Sequence, residues 1–155
     1  MRNAFRLIYN FLLKTKRRGL TVKAVIYAAV ARFRIYFFPG NKIHRYLGES
    51  GMETGRDTPG PELRRDIGFV SDRVARVAKR VPWESKCLVQ GMVAQRLLRD
   101  YHIASTLYLG VGRDKENGDK MVAHAWVRCG PYSVCGGDGE GYAAVARFRF
   151  GEEKS

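Results

Sequence analysis

Two side chains in this 155-residue chain have the chemistry of a nucleophile and its base: Cys87 and His124. A helix is expected to begin near Ser85, whose hydroxyl can cap it, and to run to about Asp100, which puts Cys87 in its first turn. There the unpaired backbone N–H groups and the positive end of the helix dipole favour thiolate over thiol, and Lys86 adds a cation. The plainer reading is a packed cysteine, because free cysteines are among the most buried residues. His124, on a strand able to pack on that helix, could take the thiol proton and later give it to a leaving amine. Its plainer reading is a hydrogen-bonded core histidine. Asp138, fourteen residues further on, is within reach to fix the imidazole tautomer, although an Asp in a Gly-rich turn commonly serves the turn alone. Trp126 shares the side of His124 and suits an active-site wall as well as a core. Gln90 could donate to an oxyanion, with the backbone N–H of Cys87 as the first donor.

Bringing these groups together requires a helix lying on a sheet. Leu88, Val89, Met92, Val93, Leu97 and Leu98 cover most of the circumference of the Cys87 helix, so it should be central and packed on several sides. Gly91, Ala94 and Leu98 follow Cys87 along one face, and the small residues there let a strand approach closely. Period-two patterning predicts strands over Ser105–Val111, Met121–Cys129, Tyr132–Cys135 and Tyr142–Phe150. Gly112–Lys120 reads as a polar hairpin loop, and GGDGEG as a Gly-rich turn before the last strand. In the second strand Val122, His124, Trp126 and Arg128 share one side, and Met121, Ala123, Ala125 and Val127 the other.

Upstream, Ile67, Val70, Val74, Val77, Ala78 and Val81 recur at helical spacing, with Arg73, Arg76, Lys79 and Arg80 pointing away and Pro82 ending the segment. Ala4–Leu13 and Val22–Phe38 suit basic amphipathic helices, broken at Gly19 and stopped at Pro39-Gly40. Residues 48–61, rich in Gly, Pro and polar side chains, read as a loop. Helices followed by an antiparallel meander define an α+β fold. It divides into a basic helical docking region (1–47), a linker loop (48–61) and a catalytic domain (62–155).

The formal charge is +13, and its placement says more than its size. Residues 1–48 carry eleven Lys and Arg and no Asp or Glu, leaving about +2 for everything else. The first third therefore seeks an anionic partner, whether acidic lipid, nucleic acid or acidic protein. No secretory signal is expected, since the apolar stretch Leu7–Leu13 is short and is followed by cations rather than a small-residue cleavage site. Lys23, Arg32 and Arg34 interrupt Leu20–Phe38, so an uncharged run of about 18 residues never occurs. Three cysteines form at most one disulfide, which fits a reducing compartment and a cytoplasmic location better than a secreted scaffold. Cys129, Cys135 and His124 lack the paired spacing of a zinc site, and GVGRDKENG has too few glycines and no following helix for a phosphate loop. No cofactor or metal is expected.

From Glu62 to Phe150 the chain resembles the lasso-peptide leader peptidases of the transglutaminase-like, papain-related cysteine protease superfamily. The resemblance rests on VPWESKCLVQGMVAQRLLRDYHIASTLYLGVG, AHAWVRC, the CGGDGEGY turn and ARF. It implies an α+β core with a Cys-His-Asp arrangement that cuts the leader from a precursor peptide, so that a partner cyclase can close the macrolactam. Carried over by motif, Cys87 matches the nucleophile and His124 the base. Where the acid is clear in such proteins it sits slightly nearer the His, at a place held here by Gly136 or Gly137. Asp138 is then the acid of choice, with a Cys-His dyad as the alternative. The basic first third resembles the helical amino-terminal part of the short, stand-alone form, which implies a separate leader-recognition protein. Residues 1–48 would dock that protein, the cyclase or the acidic inner face of the membrane, and nucleic acid is not an expected partner. Two other readings stay open: acyl transfer by the same dyad, and a basic binding module in which Cys87 and His124 are core residues.

Overall fold

The computed structural model describes residues 18–82, 86–115 and 118–151. The helix expected over Ala4–Leu13 and the cap expected at Ser85 lie outside them. The first described helix, α1 (Arg18–Phe37), buries Leu20, Ala24, Ala28 and Ala31 along one face. Mostly alanine, this face lets a neighbouring helix come close. Pro39 stops α1 and caps a second helix, α2 (Gly40–Leu47), its fixed φ of −62° and extended ψ of 151° suiting the position before a helix. α2 anchors through Ile43 and Leu47 and ends at Gly48, whose φ of +112° places it where a Cβ would meet the Arg149 carbonyl.

The expected linker is only partly a loop. Glu49–Ser50 forms a short strand, β1, on the sheet edge, and Thr54 is buried, its N–H and hydroxyl both 2.9 Å from the Thr106 hydroxyl. Arg128 donates to the carbonyls of Thr54 (2.9 Å) and Gly55 (3.1 Å), so residues 53–55 form a strap across one face of the sheet. Glu53 completes it with an ion pair to Arg147 at 2.7 Å, and that bond holds its carboxyl below the usual range.

α3 (Pro61–Ala78) starts with proline at its first turn and buries Ile67, Val70, Val74 and Val77 as the periodicity predicts. Arg73 departs from the expectation, since it is buried rather than pointing to solvent. Its guanidinium reaches Thr21 of α1 at 3.3 Å and Asp72 at 3.7 Å, so the long side chain bridges two helices instead of crossing water. α4 (Cys87–Asp100) is the central helix, burying Val89, Gly91, Met92, Val93, Ala94, Gln95, Leu97 and Leu98. Lys86 occupies its N-cap in extended conformation and makes no side-chain cap.

The remaining strands are β2 (Ser105–Asp114), β3 (Lys120–Cys129), β4 (Tyr132–Cys135) and β5 (Tyr142–Phe150). They form an antiparallel sheet in the order β1-β5-β2-β3-β4. β2 and β3 stay paired as far as Asp114 and Lys120, so the hairpin loop expected over Gly112–Lys120 contracts to residues 115–119. One hydrophobic core runs from α1 and α2 through α3 and α4 to Leu107, Val127 and Phe148 of the sheet. The fold is the α+β arrangement read from the sequence.

Gly91 sets how closely α4 lies on the sheet. A Cβ there would stand 2.7 Å from Leu107 Cδ1 and 3.5 Å from Val127 Cγ2. Leu107 is fully buried, so Leu107→Ala is expected to cost about 2–5 kcal/mol in urea unfolding. In that background Gly91→Ala should be neutral or stabilising, because the obstructing methyl is gone and alanine favours helix by about 1 kcal/mol. In the wild type the same change should destabilise. A Gly91→Ala effect independent of residue 107 would show that this contact does not set the spacing.

Candidate active site

Cys87 is the first residue of α4 and is half-exposed. Burial pushes the thiol of Cys135, at the end of β4, up to about 12, and the charge of Cys87 adds to the rise. Cys129 is buried, donates to the Ala104 carbonyl at 3.3 Å and is pushed by burial to about 11. The three cysteines thus differ: Cys129 is buried, Cys87 and Cys135 are half-buried, burial favours the protonated thiol at Cys129 and Cys135, and Cys87 stands at a helix start. Among the described residues, no three His, Cys, Asp or Glu side chains gather as a metal-binding group.

His124 lies on β3 opposite Gly110 of β2. Its Nε2 is 2.7 Å from the carbonyl oxygen of Gly136. A carbonyl only accepts, so Nε2 carries the proton of that bond and the neutral ring is left with Nδ1 as its basic nitrogen. The ring is held between aromatic neighbours, 4.6 Å from Tyr142 and 6.1 Å from Trp126, the latter nearly parallel.

Trp126 is buried, stacks on Tyr108 at 5.3 Å and is accommodated by missing side chains. A Cβ on Gly110 would come within 2.7 Å of its six-membered ring, and one on Gly139 within 2.5 Å. Gly136 has φ +79° and could carry no side chain, since a Cβ would sit 2.3 Å from the Ala125 carbonyl. The Gly-rich turn therefore folds onto Trp126 and delivers a carbonyl to His124. The density of glycines in CGGDGEG is the sequence signal for this, though by itself it specifies only a turn.

Asp138 is exposed, and its Oδ1 accepts the N–H of Glu140 at 3.0 Å, closing the turn. The hydrogen bond of the His124 ring runs to the Gly136 carbonyl, so the structure does not join Asp138 to the imidazole. Gln90 sits half-buried in the first turn of α4, its N–H bonded to the Lys86 carbonyl at 3.1 Å.

The relation of Cys87 to His124 is less direct than the sequence reading assumed. Leu107 and Val127 face α4 across Gly91, and by strand alternation His124 and Trp126 leave β3 on the other side. Among the described residues no hydrogen bond joins the thiol to the ring. The two flank the Cys135–Gly136 segment, with Cys87 beside the Cys135 thiol and His124 on the Gly136 carbonyl.

Beyond the resemblance in its motifs, a sequence profile of the transglutaminase-like superfamily matches residues 40–149, from α2 to the end of β5. No curated protein and no solved structure matches the chain. The superfamily generally comprises cysteine-dependent enzymes, peptidases and acyltransferases among them. With most of its length matched and Cys87 and His124 on the helix and strand of an α+β core, the chain belongs to the transglutaminase-like superfamily.

Proposed function

We propose that the chain is a cysteine peptidase that removes the leader from a ribosomally made lasso-peptide precursor before a partner cyclase forms the macrolactam. One observation carries the catalytic part of this reading: the Gly136 carbonyl fixes His124 as the Nε2–H tautomer, leaving Nδ1 as the basic nitrogen of the ring. Membership of the superfamily supports cysteine chemistry. The choice of a lasso precursor rests on the motifs around Cys87 and His124, and so do the proposed partners, a separate leader-recognition protein and the cyclase.

In this reading Nδ1 takes the Cys87 proton and the thiolate attacks the carbonyl carbon at the end of the leader. The N–H groups that the first turn of α4 leaves unpaired receive the oxyanion. As the C–N bond breaks, His124 gives its proton to the departing amine, the new N-terminus of the core peptide. The leader remains as a thioester on Cys87. Water, deprotonated by His124, breaks the C–S bond, and the leader leaves with a free carboxylate while the thiol is restored. The mechanism requires the thiol and Nδ1 to meet around the Cys135–Gly136 segment when substrate is bound. Ring orientation falls to the Gly136 carbonyl, and Asp138 serves the turn.

Purified protein with precursor and recognition protein should release leader with a free carboxylate, and Cys87→Ala or His124→Ala should slow release by about 10³-fold or more. Variants that cleave like the wild type would sink the mechanism, and a leader joined to another amine would make the protein an acyltransferase. Asp138→Asn should keep kcat/KM within about threefold, whereas loss comparable to that of His124→Ala would restore the carboxylate as the orienting group. In ¹⁵N NMR at alkaline pH the neutral His124 should show a protonated Nε2 and a bare Nδ1. The opposite tautomer would contradict the Gly136 bond.

Iodoacetamide at neutral pH should label Cys87 first. Because burial raises Cys135 to about 12 and Cys129 to about 11, their thiolate fractions are negligible at pH 7 and grow only as pH climbs toward those values. Equal labelling of all three cysteines at pH 7 would mean that Cys87 is another core thiol.

A further inference from the structure

α1 has two apolar faces, and the core uses one. Leu20, Ala24, Ala28 and Ala31 are buried, while Val22, Ile26, Val30, Phe33 and Phe37 recur at helical spacing with exposures of 39–63%. At roughly 100° per residue these five fall on the side of the helix away from the buried alanines. Tyr36 (78% exposed) and Phe38 extend the patch at its C-terminal end. So many large apolar side chains on one exposed strip mark an interaction surface.

The strip runs into a groove between α1, α2 and α4 that holds a cavity of about 140 Å³. Ile26 and Val30 belong to both, and Tyr27, Ala31, Arg34, Tyr46, Met92 and Arg96 form the rest of the wall. Arg34 lies 4.0 Å over the Tyr46 ring, and Arg96 lies 5.2 Å from the ring of Phe150. Neither is paired with a carboxylate among the described residues. Burial and then the neighbouring Arg34 and Arg99 lower the pKa of Arg96, with Tyr27 and Asp100 opposing the shift. Lys42 and Arg45 add exposed positive charge on α2.

We propose that this face of α1, with the Arg34–Arg96 groove beside it, docks the protein on an anionic lipid surface: the apolar strip enters the headgroup boundary and the two guanidiniums take lipid phosphate. Charge complementarity selects this occupant. Residues 1–48 contain no acidic residue, and Asp100 of α4, which meets α1, is engaged by Lys23 at 3.0 Å and Tyr27 at 2.9 Å, so positive charge dominates around the strip as negative charge does on an anionic bilayer. An aliphatic and aromatic strip with Arg32 on one side and Lys23, ion-paired to Asp100, on the other has the pattern of a helix lying in the interface. Among the described residues no helix is long and apolar enough to cross a membrane, so the contact is lateral. This inference does not depend on the thiol chemistry.

The test is co-sedimentation of the full chain with vesicles of phosphatidylcholine alone or in equal mixture with phosphatidylglycerol. Binding is expected to the anionic vesicles only, and to weaken as NaCl rises. Phe33→Ser with Phe37→Ser, both exposed and thus compatible with folding as checked by circular dichroism, should lower partitioning at least about tenfold. Arg34→Gln with Arg96→Gln should lower it by about fivefold per charge removed. Equal partitioning onto both vesicle types, or no loss in the folded Phe variant, would overturn the proposal. So would the absence of vesicle binding together with a dimer that the Phe variant abolishes, which would assign the strip to a second copy of the chain.

Discussion

The distance between α4 and the sheet is fixed at Gly91, and the candidate site hangs from that distance. Leu107 Cδ1 stands 2.7 Å from where a Cβ on residue 91 would be, with Val127 in contact behind it at 3.5 Å. Because interiors are packed to near-crystalline density, a helix seated this closely cannot slide or roll without opening a gap or forcing a clash. Its first residue, Cys87, therefore keeps a fixed relation to the end of β4, and the Cys135–Gly136 segment becomes the short connection between thiol and imidazole. The same contact seals α4 on one side while the alanines of α1 seal it on another, which explains why its apolar residues run almost all the way round.

Much of this was legible in the sequence because burial has a period. The four long strands, α3 and α4 followed from alternation and from spacings of three and four, and the small residues after Cys87 foretold the close approach. What escaped was the work of side chains that act against their type. Arg73 reads as solvent-facing by charge, yet its long stem lets it lie inside and reach Thr21. Residues 53–55 read as linker by composition, yet Arg128 and Thr106 gather their carbonyls and amides onto the sheet. Such contacts join positions more than fifty apart in the chain, and no local pattern encodes them.

Arg128 shows how one such contact shapes the surroundings of the site. Its guanidinium donates to Tyr108 at 3.0 Å, Gly130 at 2.6 Å and the two strap carbonyls. Tyr108 in turn stacks on Trp126, and Trp126 lies beside His124. The strap, the aromatic row and the imidazole thus form one layer on the side of the sheet opposite α4, so the face carrying His124 is built in part by a segment whose composition is that of a loop. A rigid planar fork with several donors can hold such a layer where a point charge could not.

The choice between an acid and a backbone acceptor for His124 also becomes intelligible. The Nε2–H needs a fixed acceptor, and the chain places glycine where a carboxylate would be closest. At Gly136 the positive φ and the Ala125 carbonyl, 2.3 Å from any Cβ, exclude an aspartate in this backbone. The same conformation that forbids the side chain turns the main-chain carbonyl onto the ring at 2.7 Å. A carbonyl held by the fold needs no rotamer to be frozen when substrate binds, so orientation is established in the free protein. It brings no negative charge, so in the proposed mechanism the start of α4 supplies the stabilisation of an ionised Cys87. The glycines of the turn and the helix start at Cys87 are then two halves of one requirement, met by backbone on both sides.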